Sequence, residues 1–142
     1  EVIGIDTAMA QGAENIGFAI PINRAKRAID SVRSSGRIIY PFLGINYVMI
    51  TKEIQSQKKL SVDYGALILS GGNLPAVVKD SPADKAGLKD GDVILELDGE
   101  KAQLSNTLAQ LIQKHKVGDT VTLKILRGSD TLNLTAKLEE RR

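Results

Sequence analysis

Residues 81–94 read SPADKAGLKDGDVI and contain the residues that typically begin and end a helix. Serine is a preferred residue just before a helix, and Pro82 stands at the first helical position, where its missing N–H costs nothing. Gly87 is placed to end the helix, and Asp90-Gly91 then turns the chain into an apolar run at 93–97. This order predicts a short helix that leads through a tight turn into a strand.

Short runs on both sides of this stretch predict the rest of a sheet. Apolar runs predict strands, and alternation of apolar and polar residues near the end predicts a closing hairpin. The strand candidates are 46–50, 66–69, 76–78, 93–97, 121–125 and 132–138. Residues 52–63 are polar and lysine-rich without alternation, which predicts an exposed loop. The pattern predicts an α+β domain, a small sandwich or partly open barrel of five to six strands with two helices.

The second helix is predicted over residues 104–116. Apolar residues recur there at helical spacing, at Leu104, Leu108, Leu111 and Ile112. The helix is capped either by Ser105 or by Thr107 with Gln110 three residues later. His115 stands among lysines in the predicted last turn, where positive charge suits the helix dipole, and Gly118 follows.

The first 36 residues follow a different pattern. The runs at 2–5 and 16–20 are almost wholly apolar, so both faces of two predicted strands need cover that a hairpin alone cannot supply. We therefore expect the incomplete end of a larger domain at 1–22, a linker helix at 23–36 capped by Asn23, and a compact domain at 37–142. The absence of a starting methionine also favours a piece of a longer protein. The basic residues of the helix could face RNA or lipid, but Asp30 interrupts them without interleaved aromatics, which favours a solvated face.

Composition narrows the function classes. Charged residues make up 25% of the chain and the net charge is +2, which is typical of a globular protein and gives no reason to expect nucleic acid. The chain has no cysteine, which excludes disulfides and thiolate metal sites without deciding the compartment. No apolar run approaches the roughly 20 residues that span a bilayer.

No catalytic, metal or cofactor site is predicted. His115 is the single histidine, and without a base nearby the Ser70-Gly71-Gly72 run is interpreted as a loop rather than a nucleophile turn. The acidic residues at 90, 92, 96 and 98 match no calcium-loop spacing and suit backbone capping. The glycines near Gly71 form neither a P-loop nor a dinucleotide motif.

A binding site is predicted at Phe42-Leu43-Gly44-Ile45. Glycine lets the backbone curl, and successive N–H groups in such a turn can form a nest for an anion such as a carboxylate. The strand that follows could accept an extended peptide as an extra strand. The pattern therefore indicates capture of peptide C-termini; the alternative is that these residues are merely a buried turn and strand.

Several of these motifs together resemble a PDZ domain of the kind attached to bacterial HtrA (DegP-like) serine proteases. They are the loop at 42–45, the run at 81–94, Asp98-Gly99 and the helix before Gly118, and the resemblance covers about residues 37–140. Residues 1–7 and 15–21 resemble the last two strands of the trypsin-like domain in that family. The resemblance implies a PDZ fold and an HtrA-type endopeptidase as the parent, with this part lacking the catalytic triad.

The resemblance also implies the site residues. Backbone N–H groups of Leu43, Gly44 and Ile45 would hold the peptide carboxylate, strand 45–49 would pair with the peptide, and the helix from Ser105 would form the opposite wall. Ala109 would leave room for a ligand side chain. The full predicted set is Phe42, Leu43, Gly44, Ile45, Asn46, Tyr47, Ser105, Ala109 and Ile112.

The implied role is regulation or substrate tethering for the protease. The expected partners are apolar C-termini of misfolded or signalling proteins and the protein's own protease domain. The alternative is a module that contacts neighbouring subunits of a homo-oligomer or the protease domain. The family implies a location in the bacterial cell envelope, on the periplasmic or extracytoplasmic side.

Overall fold

The computed structural model describes residues 3–9 and 17–140 and divides the chain into two compact units, Glu1–Ile39 and Tyr40–Arg142. In the first unit, β1 (Gly4–Met9) pairs antiparallel with β2 (Gly17–Pro21), and α1 (Ile22–Ser35) follows. The predicted strand pair and helix are both present; Val2 and Ile16 lie outside the described residues. Helix α1 already begins at Ile22, so the cap predicted at Asn23 is wrong.

The second unit is built on one antiparallel sheet. Its strands are β4 (Tyr47–Met49), β5 (Ala66–Ile68), β6 (Val93–Leu97), β7 (Glu100–Lys101), β8 (Thr120–Arg127) and β9 (Asp130–Lys137). They follow the order β4-β5-β6-β8-β9, and β7 pairs with β6. A separate short pair joins β3 (Pro41–Phe42) to β10 (Glu139–Glu140). The predicted α+β fold with an open sheet is confirmed.

Three of the sequence signals explain parts of this sheet. Residues Val121, Leu123 and Ile125 of β8 are fully buried, because alternation places them all on one face. The turn predicted at 127–130 closes the β8–β9 hairpin, whose register runs from Thr120 opposite Lys137 to Arg127 opposite Asp130. Asp98-Gly99 likewise turns β6 into β7.

Helices cover the two faces of the sheet. One face shares a core with α3 (Pro82–Lys85) and α4 (Leu108–Ile112), in which Ile68, Ile94 and Leu108 are fully buried. The other face buries Ile50, Leu67, Val93 and Leu95, with Ile54 of α2 (Lys52–Lys58) packed against them. Helix α3 begins after Ser81 as predicted, since the Ser81 side chain accepts the Asp84 N–H.

Two predictions on either side of β5 are wrong. The loop predicted at 52–63 contains α2, which is capped by Thr51 and packs through Ile54, so tertiary burial overrides its polar pattern. Residues 76–78 form no strand and contribute only a single bridge between Val77 and Ile45.

Helix α4 is also shorter than predicted. It begins at Leu108 because Thr107 and Gln110 form a reciprocal capping box. Leu104 and Ser105 instead form a turn between Gln103 and Asn106, and Leu104 is 63% exposed. The C-cap is Gln113, so His115 follows the helix instead of ending it. Among the described residues, no helix is long and apolar enough to cross a membrane.

Candidate functional site

The loop between β3 and β4 is fixed through its carbonyl groups. The Leu43 carbonyl accepts the Ala83 N–H at 2.9 Å, and the Gly44 carbonyl accepts the Val78 N–H at 2.9 Å and the Ser81 hydroxyl at 3.3 Å. The N–H groups of Leu43, Gly44 and Ile45 bond to no other described residue. Residues 78–83 therefore anchor the loop through its carbonyl groups, and three consecutive N–H donors stay available to a ligand.

Only glycine fits at the centre of this loop. Gly44 has a φ of +90°, in the region that L side chains rarely adopt. A Cβ added there would lie 2.2 Å from the Ser81 Cβ and 2.4 Å from its Oγ. Both the backbone conformation and the close approach of Ser81 require this residue.

Strand β4 forms a free edge of the sheet. On its inner side, the Asn46 carbonyl accepts the Leu69 N–H at 3.1 Å, and the Ile50 N–H donates to the Gly65 carbonyl at 2.9 Å. Backbone groups of alternate residues point to opposite sides of a strand, so those of Tyr47 and Met49 point to the free edge. The Ile45–Val77 bridge follows the same alternation. The Asn46 N–H donates to the Ala76 carbonyl, so the backbone groups of Ile45 point to the free edge. Among the described residues, the backbone groups of residues 45, 47 and 49 on this side have no partner.

This free edge and α4 flank one groove of about 660 Å³. Eight of the nine predicted site residues line it: Phe42, Leu43, Gly44, Ile45, Asn46, Tyr47, Ala109 and Ile112. The ninth, Ser105, does not line it, because it lies in the turn before α4. The structure therefore brings the loop, the strand and the helix together as expected but starts the opposite wall later.

Six further lining residues were not predicted. They are Tyr40, Pro41, Leu74, Pro75, Val78 and Gln113. Gln113 follows Ala109 by four residues, so helical spacing could have found it. The members from 74–78 reach the groove because the Asn46 side chain donates to the Pro75 carbonyl, a contact across 29 residues of sequence. No local pattern indicates that contact.

Tyr47 connects the two walls of the groove. Its hydroxyl accepts the Ala109 N–H at 3.1 Å and so satisfies a donor in the first turn of α4. Burial raises the pKa of the Tyr47 phenol above its ordinary value, and the hydrogen bond from Ala109 opposes that shift only in part. The hydroxyl is therefore protonated at neutral pH.

Two of the acidic residues between positions 90 and 98 make hydrogen bonds that hold the fold together. Asp92, which is 1% exposed, accepts the Lys89 N–H and two hydrogen bonds of 2.8 Å from Arg127. This pairing raises the pKa of the Arg127 guanidinium. Asp98 accepts the Thr122 N–H at 2.6 Å. Across residues 3–9 and 17–140, no three acidic or histidine side chains are grouped as metal ligands would be.

His115 faces carboxylates rather than a nucleophile. Its Nε2 lies 3.7 Å from an Asp98 oxygen and its Nδ1 lies 4.0 Å from an Asp119 oxygen. Ser70 is exposed at the start of the turn that the Gly71–Leu74 bridge closes. His115 therefore lies between two carboxylates in the turn that follows α4.

Comparison with known proteins identifies the family. The sequence model of the PDZ domain family matches residues 41–138. The chain belongs to the PDZ domain family. The groove between β4 and α4 and the loop at 42–45 lie within this PDZ match.

Relatives of the PDZ chain match it almost end to end. A protein named "Probable periplasmic serine endoprotease DegP-like" from Chlamydia trachomatis is 39% identical over 137 residues, which are 94% of this chain and 26% of that protein. The "Serine protease Do-like HtrB" of Bacillus subtilis is 33% identical over 142 residues, which are 97% of this chain and 31% of that protein. The chain thus spans about a quarter to a third of the length of these DegP- and HtrA-type relatives.

Solved structures agree with this assignment. The HtrA-type protease AlgW with a decapeptide is 29% identical, with a TM-score of 0.78, and the match covers 99% of this chain and 42% of that one. AlgW with a tripeptide gives 29% identity and a TM-score of 0.73. A serine endoprotease from Yersinia pestis, at 22% identity and a TM-score of 0.61, shares the fold.

Proposed function

We propose that the PDZ unit binds the C-terminus of an extended peptide in the groove between β4 and α4. The peptide adds to β4 as a new antiparallel strand, and its carboxylate accepts the N–H groups of residues 43–45. The observation that carries the proposal is that three consecutive unpaired N–H groups lead directly into the unpaired edge of β4. AlgW, which was solved with a decapeptide and with a tripeptide, supports a peptide as the ligand class.

The last side chain of the peptide enters an apolar pocket. Phe42, Ile45, Ala109 and Ile112 all line the groove at the loop end of β4 and along α4. Ala109 is the smallest of them and leaves the space that a ligand side chain needs. The proposed ligand is therefore a free carboxyl terminus with an apolar final residue.

Within a longer protein, this PDZ unit would regulate an HtrA-type serine endopeptidase or tether substrate to it. Its ligands there would be apolar C-termini of unfolded or signalling proteins. The relatives that match this chain are named serine proteases, and several are named periplasmic. We propose the bacterial cell envelope as the location on that basis.

Titration of the chain with one fluorescent peptide in two forms tests the proposal. The free acid should bind with a Kd on the order of micromolar, because ordering a peptide offsets much of the contact energy. The C-terminal amide should bind at least about tenfold more weakly, a loss of about 1.4 kcal/mol. Equal affinity of both forms would refute capture by the carboxylate.

Two variants at one position test the pocket. Ala109→Leu should weaken binding of the free acid, because the new side chain fills the space for the last peptide residue. Ala109→Ser is the matched control, since it stays small, and it should bind within about threefold of the unmodified chain. Unchanged affinity in Ala109→Leu would remove Ala109 from the pocket.

The free edge of β4 also favours a second candidate, contact with a neighbouring subunit or with the protease domain. Unpaired strand edges are templates for pairing with another chain. Sedimentation of the chain over a wide concentration range distinguishes self-association from peptide capture. A monomer at every concentration that still binds the free-acid peptide supports the first candidate.

A further inference from the structure

Strand β9 forms the edge of the sheet opposite to β4. It spans eight residues, and its register with β8 runs without a bulge from one end to the other. In the second unit, no other described strand pairs with its outer side. Proteins usually protect such an edge with a proline, a bulge or charged side chains. Residues 131–136 contain no proline and no charge, so this edge is able to pair with another strand.

The hydrogen bonds of β8 show which backbone groups of β9 point outward. The Thr122 carbonyl accepts the Asp98 N–H at 2.8 Å, so the backbone groups of Thr122 point away from β9. Because these groups alternate along a strand, those of the odd-numbered residues of β8 point toward β9, where the register gives them even-numbered partners. The backbone groups of the odd-numbered residues of β9 therefore point to its outer edge: residues 131, 133 and 135.

The side chains along this edge suit a contact with another strand. Leu134 packs partly buried against the core, and Leu132, two residues away on the same face, is 36% exposed. On the opposite face, Thr131, Asn133 and Thr135 are exposed and uncharged. The edge thus offers outward backbone groups with apolar side chains on one face and short polar side chains on the other.

The sequence of β9 is complementary to itself about Asn133. When two copies pair antiparallel about a two-fold axis at this residue, Thr131 of each copy lies opposite Thr135 of the other. Leu132 lies opposite Leu134 of the second copy, and by symmetry Leu134 lies opposite its Leu132. Directly opposed apolar side chains and directly opposed threonines both stabilise a sheet. Every opposed pair in this register is therefore a favourable or a neutral one.

The charges at the ends of the strand agree with this register. Asp130 of one copy lies opposite Ala136 of the other and so next to its Lys137, which places opposite charges at each end of the pair. An axis at Leu134 would keep only one pair between leucines and would place Leu132 opposite Ala136, which is 3% exposed. The axis at Asn133 uses the exposed side chains instead.

We propose that the chain forms a symmetric dimer in which the outer edges of two β9 strands pair about Asn133. The occupant of the edge is a second copy, because the edge is complementary to itself in both side chains and charge. This contact lies on the opposite edge from β4, so it leaves the groove open and does not rest on peptide capture. A pair of strand edges is a small interface, so we expect a weak dimer with a Kd on the order of 100 μM.

Single cysteines test the register, because the chain has no cysteine of its own. At a chain concentration of about 1 mM, well above the expected Kd, diamide should cross-link Asn133→Cys at least about tenfold faster than Thr131→Cys or Thr135→Cys. Residues paired on the axis have Cα atoms about 5.5 Å apart, which a disulfide can join. Residues 131 and 135 each lie about 14 Å from their own copies, and their equal exposure makes them matched controls. Equal rates in the three variants would overturn the proposed pairing.

Sedimentation of two leucine variants tests the contact itself. The unmodified chain should associate over the range up to about 1 mM, and Leu132→Lys should stay monomeric, because a charge then replaces both leucine pairs. Leu104→Lys makes the same replacement at a leucine that is 63% exposed in the turn before α4, and it should associate like the unmodified chain. Urea midpoints of both variants check that the fold is kept.

The outcomes distinguish this dimer from the proposed function. A monomeric unmodified chain at every concentration overturns the dimer and leaves peptide capture intact. Undiminished association in Leu132→Lys places the contact elsewhere, for example at β4, and overturns the dimer as well. Free-acid peptide should bind Leu132→Lys and the unmodified chain within about threefold, since the groove is not part of the β9 contact. Absence of any peptide binding would refute the proposed function alone.

Discussion

The contact between Gly44 and Ser81 leads to a double-mutant experiment on the loop at residues 42–45. In Gly44→Ala, a left-handed backbone costs an alanine about 1–2 kcal/mol. The new Cβ would lie 2.2 Å from the Ser81 Cβ, and overpacking of this kind typically costs about 1–3 kcal/mol. We expect the single variant to lose about 3 kcal/mol of unfolding free energy in all.

Ser81→Gly removes the atoms that cause the clash. Glycine replaces serine as a helix cap at a cost of only a few tenths of a kcal/mol, and the lost hydrogen bond to the Gly44 carbonyl costs about 1 kcal/mol. In the double variant the overpacking disappears while the backbone strain stays. It should therefore be more stable than the sum of the single effects predicts, by about 1–3 kcal/mol.

Urea unfolding followed by far-ultraviolet circular dichroism measures all four proteins of this cycle. The midpoint and slope of each transition give the unfolding free energy. Additivity to within about 0.5 kcal/mol would show that the two residues do not compete for space, and the account of the loop would be wrong.

Three further predictions concern the interior, the helix and the groove. Arg127→Met should lower the urea midpoint of unfolding clearly more than Lys124→Met in the same strand, because Asp92, which is 1% exposed, loses both hydrogen bonds from Arg127, whereas Lys124 makes only a partly exposed ion pair with Glu96. Equal urea midpoints of the two variants would contradict this. Thr107→Ala should cost about 1 kcal/mol of unfolding free energy by the same assay and weaken free-acid peptide binding, since it removes the cap of α4. With a raised pKa, the folded state holds the Tyr47 proton more tightly, so its contribution to stability is complete below about pH 10 and is lost as pH rises through the folded pKa. Ultraviolet titration should show one late-ionising tyrosine that is missing in Tyr47→Phe, and identical curves would contradict the shift.

Local signals predicted much of this fold. The Ser81 cap, Pro82 and the turn at Asp98-Gly99 each act within a few residues, so their structures follow from neighbours in sequence. Alternation in β8 predicted its buried face for the same reason. Where two caps competed, Thr107 prevailed over Ser105, because only Thr107 has a glutamine three residues later to complete a reciprocal pair.

Features that depend on distant residues were missed. Helix α2 has a polar sequence, and packing of Ile54 on the sheet stabilises it. The groove wall at 74–78 depends on pairing with residues 45 and 46, which no local pattern specifies. Tyr47 was predicted to line the groove, but its bond to Ala109 across 62 residues could be found only in the folded chain.

The carbonyl contacts of the loop at residues 42–45 make two amides into reporters of the proposed peptide binding. The Val78 and Ala83 N–H groups donate to Gly44 and Leu43, so their hydrogens exchange with solvent only when the loop separates from the segment behind it. A ligand that binds only the closed loop lowers the population of that open state. Deuterium uptake at Val78 and Ala83, both outside the proposed carboxylate contacts, would therefore slow in proportion to peptide saturation.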